Sequence, residues 1–159
     1  MMPNIVRSCQ DLIRRCAARR FAVALIIFSC SVAPAQETLS ATVRSLAKTG
    51  VFAFGGVGFI GKISQGEIDF KVIQSQPTAV ALASFETIYA TGDPAAKVYA
   101  LAGIRQLDRE RFKEILRSLD GSQEMVFTMQ GCVMERHRLA DVARSIDAGS
   151  YDDWLKPRQ

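Results

Sequence analysis

The sequence predicts a mainly α-helical fold, a compact helical domain of about five to six helices with a glycine-rich apolar loop. Apolar residues recur at the three- and four-residue spacing of a helix face through most of the chain after residue 35. Capping and stop residues separate these segments from one another. Only residues 51–63 and 124–135 break the helical period, and we expect the second segment to be extended or a small β-hairpin.

The first 35 residues have the pattern of a secretory signal peptide. Four arginines between residues 14 and 20 precede the apolar run Phe21–Val32, and small residues for a signal peptidase follow at Ala33–Ala35. The run has about 12 residues, fewer than the roughly 20 of a membrane-spanning helix. We therefore expect residues 1–35 to be a signal peptide and residues 36–159 a single helical domain, periplasmic or secreted. The alternative is a lipoprotein anchored at Cys30, because Ile27–Cys30 is similar to a lipobox.

The positive charge of the chain belongs to this leader. The whole chain has 20 basic and 16 acidic residues, of which residues 1–35 hold five and one, so residues 36–159 carry no net charge. A neutral domain without a basic stripe does not have the composition of a nucleic-acid binder, and we expect no nucleic-acid partner and no stable membrane span after cleavage. Three of the four cysteines also lie in the leader, which leaves Cys132 without an internal disulfide partner.

The domain is expected to begin with a helix from Ser40 that ends at Gly50 in a left-handed C-terminal cap. The next segment, Val51–Ile63, is apolar and rich in glycine, and we expect it to be a buried loop or a short strand. Five of its side chains are predicted to pack against the helices: Phe52, Phe54, Val57, Phe59 and Ile60.

Two helices are predicted next. Ser64 and Glu67 have the spacing of a capping box, which opens a helix to about Gln74. Pro77 ends that element, and Thr78 precedes a helix to about Ala90. One face of the second helix carries the apolar residues Leu82, Phe85, Ile88 and Tyr89.

The centre of the domain is predicted to be the helix Ala95–Gln106. Asp93 is placed to cap it, and Pro94 takes its first position. Only Lys97, Arg105 and Gln106 interrupt an apolar surface that extends almost all round, which is typical of a buried helix. Asp108 then caps an amphipathic helix whose inward residues are Phe112, Ile115, Leu116 and Leu119.

The C-terminal part begins with the segment Glu124–Glu135, the one predicted to be extended or a hairpin. Helical spacing returns from Leu139 and stops at Gly149. The terminal residues Tyr151, Trp154 and Leu155 are expected to act as a hydrophobic latch, in preference to an exposed partner patch, because ordered termini are usually packed onto their domain.

The glycine-rich loop matches two nucleotide-binding patterns. Gly56, Gly58 and Gly61 have the dinucleotide spacing, and Gly56–Lys62 matches a P-loop up to Ile63, where Ser or Thr would hold magnesium. The dinucleotide pattern needs a helix at its third glycine, whereas Ser64 is the better helix start. We therefore predict that the glycines permit close packing, and expect no cofactor. The candidate ligand-binding residues are Gly55, Gly56, Gly58, Gly61 and Lys62.

Cys132 and His137 are the only thiol and the only imidazole of the predicted domain. A cysteine nucleophile needs a base within hydrogen-bond reach, and a spacing of five residues does not indicate that geometry. We expect Cys132 to be a small buried apolar residue and retain it as a possible reactive thiol. One histidine and scattered carboxylates do not indicate a metal site. We therefore predict no metal ligands and assign no catalytic residue.

Several short motifs together resemble a family of small bacterial proteins with signal peptides and of unknown function, some of them associated with microcin gene clusters. The motifs are Phe54–Gly58, Ser64–Glu67, Ala95–Gly103, Leu107–Asp108, Gly131–Cys132 and Gly149–Asp152. The resemblance covers nearly all of residues 36–159. It implies export and a single domain, and it supplies no reaction.

The sequence therefore predicts an exported, non-enzymatic binding or accessory protein that acts through contacts with an unknown protein partner. The alternative is a small enzyme or ligand-binding protein that uses the loop Gly55–Gly61 together with Cys132. The two hypotheses differ in whether the loop and the thiol share an open pocket.

Overall fold

A computed structural model describes residues 33–156, with side chains from residue 36 onwards. The chain divides into two units, residues 1–38 and 39–159, and the boundary lies inside the first helix. Most of the predicted signal peptide, including Cys30, lies outside the described residues, so export and its alternative remain predictions. No helix of the described part is long and apolar enough to cross a membrane.

The described residues are mostly helical, as predicted, with two small sheets. The helices are α1 (Ala33–Ala47), α2 (Gln65–Gln74), α3 (Thr78–Thr91), α4 (Pro94–Leu107), α5 (Arg109–Ser118), α6 (Leu139–Asp147) and the single turn α7 (Asp152–Leu155). The strands are β1 (Val51–Phe52), β2 (Gly56–Val57), β3 (Lys62–Ile63), β4 (Met125–Gln130) and β5 (Val133–Arg138). Six of these helices correspond to predicted ones, and α7 was expected only as a turn.

The larger sheet has the strand order β1-β4-β5. Strands β4 and β5 form an antiparallel hairpin in which Gln130 pairs with Val133, which confirms the predicted hairpin and extends it to Arg138. Strand β1 joins β4 in parallel, with Val51 opposite Phe127. Because parallel neighbours need a long crossover, helices α2–α5 lie between these two strands in the sequence. Strands β2 and β3 form a separate small hairpin.

Helix α4 is the centre of the domain, as its composition predicts. Nine of its 14 residues are buried. Its three polar interruptions each form a contact with another element. Lys97 forms an ion pair with Glu124, 2.8 Å away. Arg105 donates to Asp152 and Gln106 donates to the Leu155 carbonyl.

Two of the predicted helix caps are present. The Ser64 hydroxyl accepts a hydrogen bond from the Glu67 amide at 3.1 Å, and the Asp108 carboxylate accepts one from the Arg111 amide at 2.9 Å. Asp93 occupies the N-cap position of α4, but its side chain makes no capping bond. Pro94 occupies the first turn of that helix, where its fixed φ favours helix initiation without a side-chain cap from Asp93.

The N-terminal helix was predicted incorrectly at both ends. Among the described residues it extends back to Ala33, because no helix breaker stands between Ala35 and Ser40. It ends at Ala47, where the Lys48 and Thr49 amides close a tight turn onto Ser45 and Leu46. Gly50 does not adopt a positive φ, so it is not a left-handed cap.

The C-terminal residues Tyr151, Trp154 and Leu155, which we call the latch, form the predicted hydrophobic latch only in part, because Trp154 remains exposed. Leu155 is buried, and its carbonyl accepts hydrogen bonds of 2.8 Å from Gln74 and from Gln106. The Tyr151 ring packs edge-on against Phe52, with ring centroids 5.2 Å apart. The latch thereby holds the chain end against α2, α4 and the larger sheet.

Candidate functional site

The glycine-rich segment is a β-hairpin rather than a loop before a helix. Gly56 pairs with Ile63 and Val57 pairs with Lys62. The turn between them is closed by a hydrogen bond of 3.1 Å from the Gly61 amide to the Gly58 carbonyl. The next helix begins at Gln65. Because the third glycine precedes a strand, the segment lacks the glycine-to-helix junction of both nucleotide-binding patterns.

Glycine is required here for backbone conformation and for close approach. Gly55, Gly58 and Gly61 have φ values of +80°, +71° and +66°. A Cβ atom at Gly55 would lie 2.8 Å from the Trp154 indole nitrogen, and one at Gly56 would lie 2.9 Å from the Gly61 carbonyl oxygen. The Gly55 amide donates to the buried Glu67 carboxylate at 2.7 Å. These contacts agree with the predicted packing role at Gly55 and Gly56, whereas Gly58 and Gly61 have open space around them and require glycine for their φ values alone.

The prediction that Phe59 and Ile60 are buried is wrong. Phe59 is 100% exposed and Ile60 is 92% exposed. Both stand at the tip of the hairpin, between the left-handed residues Gly58 and Gly61, so their side chains extend away from the domain. Phe52 and Phe54 provide the predicted burial instead, and Val57 is half-buried.

The tips of the two hairpins lie side by side. The Gly58 amide donates to the Gly131 carbonyl at 2.8 Å, and Val57 forms an isolated parallel bridge with Gly131. Four exposed apolar side chains cover this surface, which we call the two-hairpin end: Phe59, Ile60, Val133 and Met134. Lys62 stands beside the tip on β3 and is exposed.

Cys132 occupies the turn of the β4–β5 hairpin, and its exposure contradicts the predicted burial. The Cys132 side chain stays exposed at this projecting turn, although the Gly58 amide contacts the adjacent Gly131 carbonyl. His137 pairs with Val126 at the other end of the hairpin, roughly 16 Å along the strand from Cys132. The histidine instead binds Glu135 at 3.0 Å. The thiol and the imidazole are therefore not arranged as a nucleophile and its base.

A cavity of about 440 Å³ opens between the larger sheet, helix α6 and the latch. Neither Cys132 nor any residue of Gly55–Gly61 lines it. One wall is aromatic and is formed by Phe52, Phe54, Tyr151 and Trp154. The polar lining residues are Thr128, Gln130, Glu135, His137, Asp141 and Ser145.

The register of the sheet explains why these side chains meet. Phe52 pairs with Thr128, and Thr128 pairs with Glu135, so one row across the three strands faces the cavity. Successive side chains of β5 point to opposite faces of the sheet, so the cavity face also carries Val133, Glu135 and His137. This polar lining was not predicted from the sequence, because the strand was expected to end at Glu135. The period-2 alternation through His137 was the available signal.

Burial raises the pKa of Tyr151 above its ordinary value, and the hydrogen bond from Arg105 lowers the pKa of Asp152. Among the described residues no cluster of histidine, cysteine and carboxylate side chains could hold a metal ion. Comparisons with protein-family models, with curated proteins and with solved structures find no match to this chain.

Proposed function

We propose that this chain is an exported, non-enzymatic binding protein and that the two-hairpin end is its contact surface for a protein partner. The observation that carries the proposal is the full exposure of Phe59 and Ile60 at a fixed hairpin tip. A soluble domain has no packing reason to present two large apolar side chains in this way, and exposed apolar patches commonly mark interaction sites. The resemblance to small exported bacterial proteins supports the export part of this proposal.

The backbone around this tip favours a preformed contact. The Gly58–Gly131 hydrogen bond ties the tip to the β4–β5 hairpin, and the turn bond from Gly61 holds its shape. A surface that is ordered before binding loses less conformational entropy when a partner arrives. Two adjacent apolar side chains on a narrow tip have the dimensions of an anchor that enters a pocket on another protein.

The charges near the tip argue for a protein over an anionic lipid surface. Residues 36–159 are neutral overall. Lys62 is the basic residue of the tip hairpin itself, whereas electrostatic membrane attraction is built from clusters of basic residues. The partner is therefore expected to present an apolar pocket.

Photo-crosslinking in the producing cell tests this proposal. The full chain, with its own leader, carries p-benzoylphenylalanine at position 59, where the added ring remains at the exposed tip. We expect a discrete crosslinked protein adduct that disappears when Ile60→Ser is added. The matched control places the same photo-reactive residue at position 80, because Val80 is an exposed apolar residue on α3, outside the two-hairpin end.

An equal yield of the same adduct from positions 59 and 80 would contradict the proposal. Sedimentation with phosphatidylcholine and phosphatidylglycerol vesicles provides the other decisive arm. Vesicle binding that depends on Phe59, without a protein adduct, would show that the tip binds lipid and would overturn the assignment to a protein partner.

A further inference from the structure

We propose that the cavity beside α6 is a binding site for a basic side chain, an ammonium or guanidinium group on a short aliphatic stem. The proposal does not rest on Phe59 and Ile60, which carry the proposed protein contact, because neither lines the cavity; of the two-hairpin end only Val133 does. A volume of about 440 Å³ falls within the range of small-molecule sites and exceeds what one lysine or arginine side chain needs.

The aromatic wall provides faces for a cation and for its aliphatic stem. Tyr151 and Trp154 are neighbours, with ring centroids 6.2 Å apart, and Tyr151 contacts Phe52 and Phe54 behind it. Trp154 keeps 37% of its surface exposed although the residue after it is buried. Aromatic faces attract cations within about 6 Å of the ring centroid, and tryptophan does so most strongly.

The polar lining residues set the sign of the ligand's charge. Of the described residues that line the cavity, two are carboxylates, Glu135 and Asp141, and none is lysine or arginine. Glu135 binds the His137 ring, and Asp141 pairs with Arg144, which is not a lining residue. Gln130 and Ser145 add neutral polar groups. A cavity lined by both aromatic faces and carboxylates suits a cation better than an anion or a purely apolar ligand.

Trp154 is the only tryptophan of the chain and lines the cavity, so its intrinsic fluorescence reports on binding there. The purified full chain is titrated with the blocked tripeptides acetyl-Gly-Lys-Gly-amide and acetyl-Gly-Arg-Gly-amide, and with butylamine and agmatine as free amines. Acetyl-Gly-Glu-Gly-amide, acetyl-Gly-Gln-Gly-amide and chitotriose are the comparison ligands. We expect a saturable change with the basic probes only, and calorimetry reads binding independently of fluorescence.

The variant Glu135→Gln/Asp141→Asn should weaken binding of the basic probes about tenfold, since two partly exposed charge pairs are lost. Glu110→Gln is the matched control, because it removes an exposed carboxylate of α5 that is not part of the cavity. Stronger binding of the tripeptides than of the free amines would identify the natural ligand as a peptide. Stronger binding of the free amines would identify it as a small amine. Equal binding of the glutamate or sugar ligands, no saturable binding of any basic probe, or full affinity in the double variant would overturn the proposal.

Discussion

Tyr99 places a hydroxyl group inside an otherwise apolar core, and the surrounding chain satisfies it. The hydroxyl accepts a hydrogen bond from the Ala53 amide at 2.9 Å and also donates to the Ala53 carbonyl. The Ser64 hydroxyl lies 3.2 Å from it. Burial raises the pKa of Tyr99 to about 12, so the neutral phenol is strongly preferred in the folded protein. A single side chain of α4 thus fixes the segment that follows β1.

Tyr99→Phe should lower the free energy of unfolding by about 1–3 kcal/mol at neutral pH, because the buried Ala53 amide loses its partner. Urea denaturation monitored by circular dichroism measures this change. Ser84→Ala is a suitable control, since that hydroxyl is bonded only to its own helix and is exposed.

The same side chain predicts a dependence of stability on alkaline pH. The folded pKa of about 12 lies above the unfolded value of 10.0, so the neutral phenol's contribution is complete below pH 10 and is lost as the pH rises towards 12. We expect the unfolding free energy of the wild-type chain to fall more steeply between pH 10 and 12 than that of Tyr99→Phe. Parallel curves for the two proteins would show that Tyr99 titrates normally.

Gly103 illustrates how a close approach can outweigh helix propensity. A Cβ atom there would lie within 2.6 Å of three carbon atoms of the Phe85 ring. Gly103→Ala should therefore destabilise the protein by about 1–3 kcal/mol, although alanine favours helices. Gly50→Ala should be close to neutral by thermal melting, because nothing lies within 4 Å of that position. Equal melting temperatures for the two variants would contradict the packing of α3 against α4.

At the scale of elements, the sequence contains most of the information about the helices. Apolar spacing and the caps at Ser64 and Asp108 predict α2–α5 nearly to the residue, because these signals act within one turn. The apolar composition of α4 also identifies it as the buried element. The latch was predictable for a similar reason, since three large apolar residues close to a terminus need a surface to cover them.

Helix α4 should be the main source of stability. Leu101 is completely buried among apolar neighbours, so Leu101→Ala should cost about 2–5 kcal/mol of unfolding free energy. Val80→Ala, on the exposed face of α3, should cost less than about 0.5 kcal/mol and serves as the control. A loss below about 1 kcal/mol at Leu101 in chemical denaturation would mean that the core is centred elsewhere.

In the β2–β3 hairpin, two substitutions test the effect of backbone strain and the effect of charge separately. Gly58 has a positive φ but open space around it, so Gly58→Val should destabilise the chain by about 1–3 kcal/mol through strain alone. Lys62→Ala should change stability by less than about 0.5 kcal/mol, and millimolar ATP, GTP or NAD should not raise the melting temperature of either protein. A nucleotide-dependent rise that vanishes in Lys62→Ala would restore the phosphate-binding hypothesis.

The tertiary placement of the hairpins could not be derived from local sequence. Phe59 and Ile60 have the composition of core residues, and only the fold reveals that two left-handed glycines place them at a projecting tip. The cavity depends on the parallel pairing of β1 with β4, which brings Phe52 beside Thr128. Pairings between distant segments leave no periodic signal in either segment alone.

At the scale of the whole molecule, we expect the precursor to lose residues 1–35 on export. Intact-mass measurement of protein recovered from the periplasm or medium should give an N-terminus at Gln36, within the range described as α1. Ala35→Arg should block this cleavage, because the peptidase site requires a small residue. A mature chain that starts at an acylated Cys30, or unprocessed protein in the cytoplasm, would disprove this prediction.

The pairing of residues 51 and 127 also governs the order in which the molecule folds. Neighbouring helices such as α3 and α4 close short loops, whereas β1 and β4 must close a long one, at an entropic cost that grows with loop length. We therefore expect the sheet, helix α6 and the latch to be the last parts to assemble. Because these parts line the cavity, the site proposed for a basic side chain would form, in a chain exported as proposed, only after Leu155 has crossed the membrane.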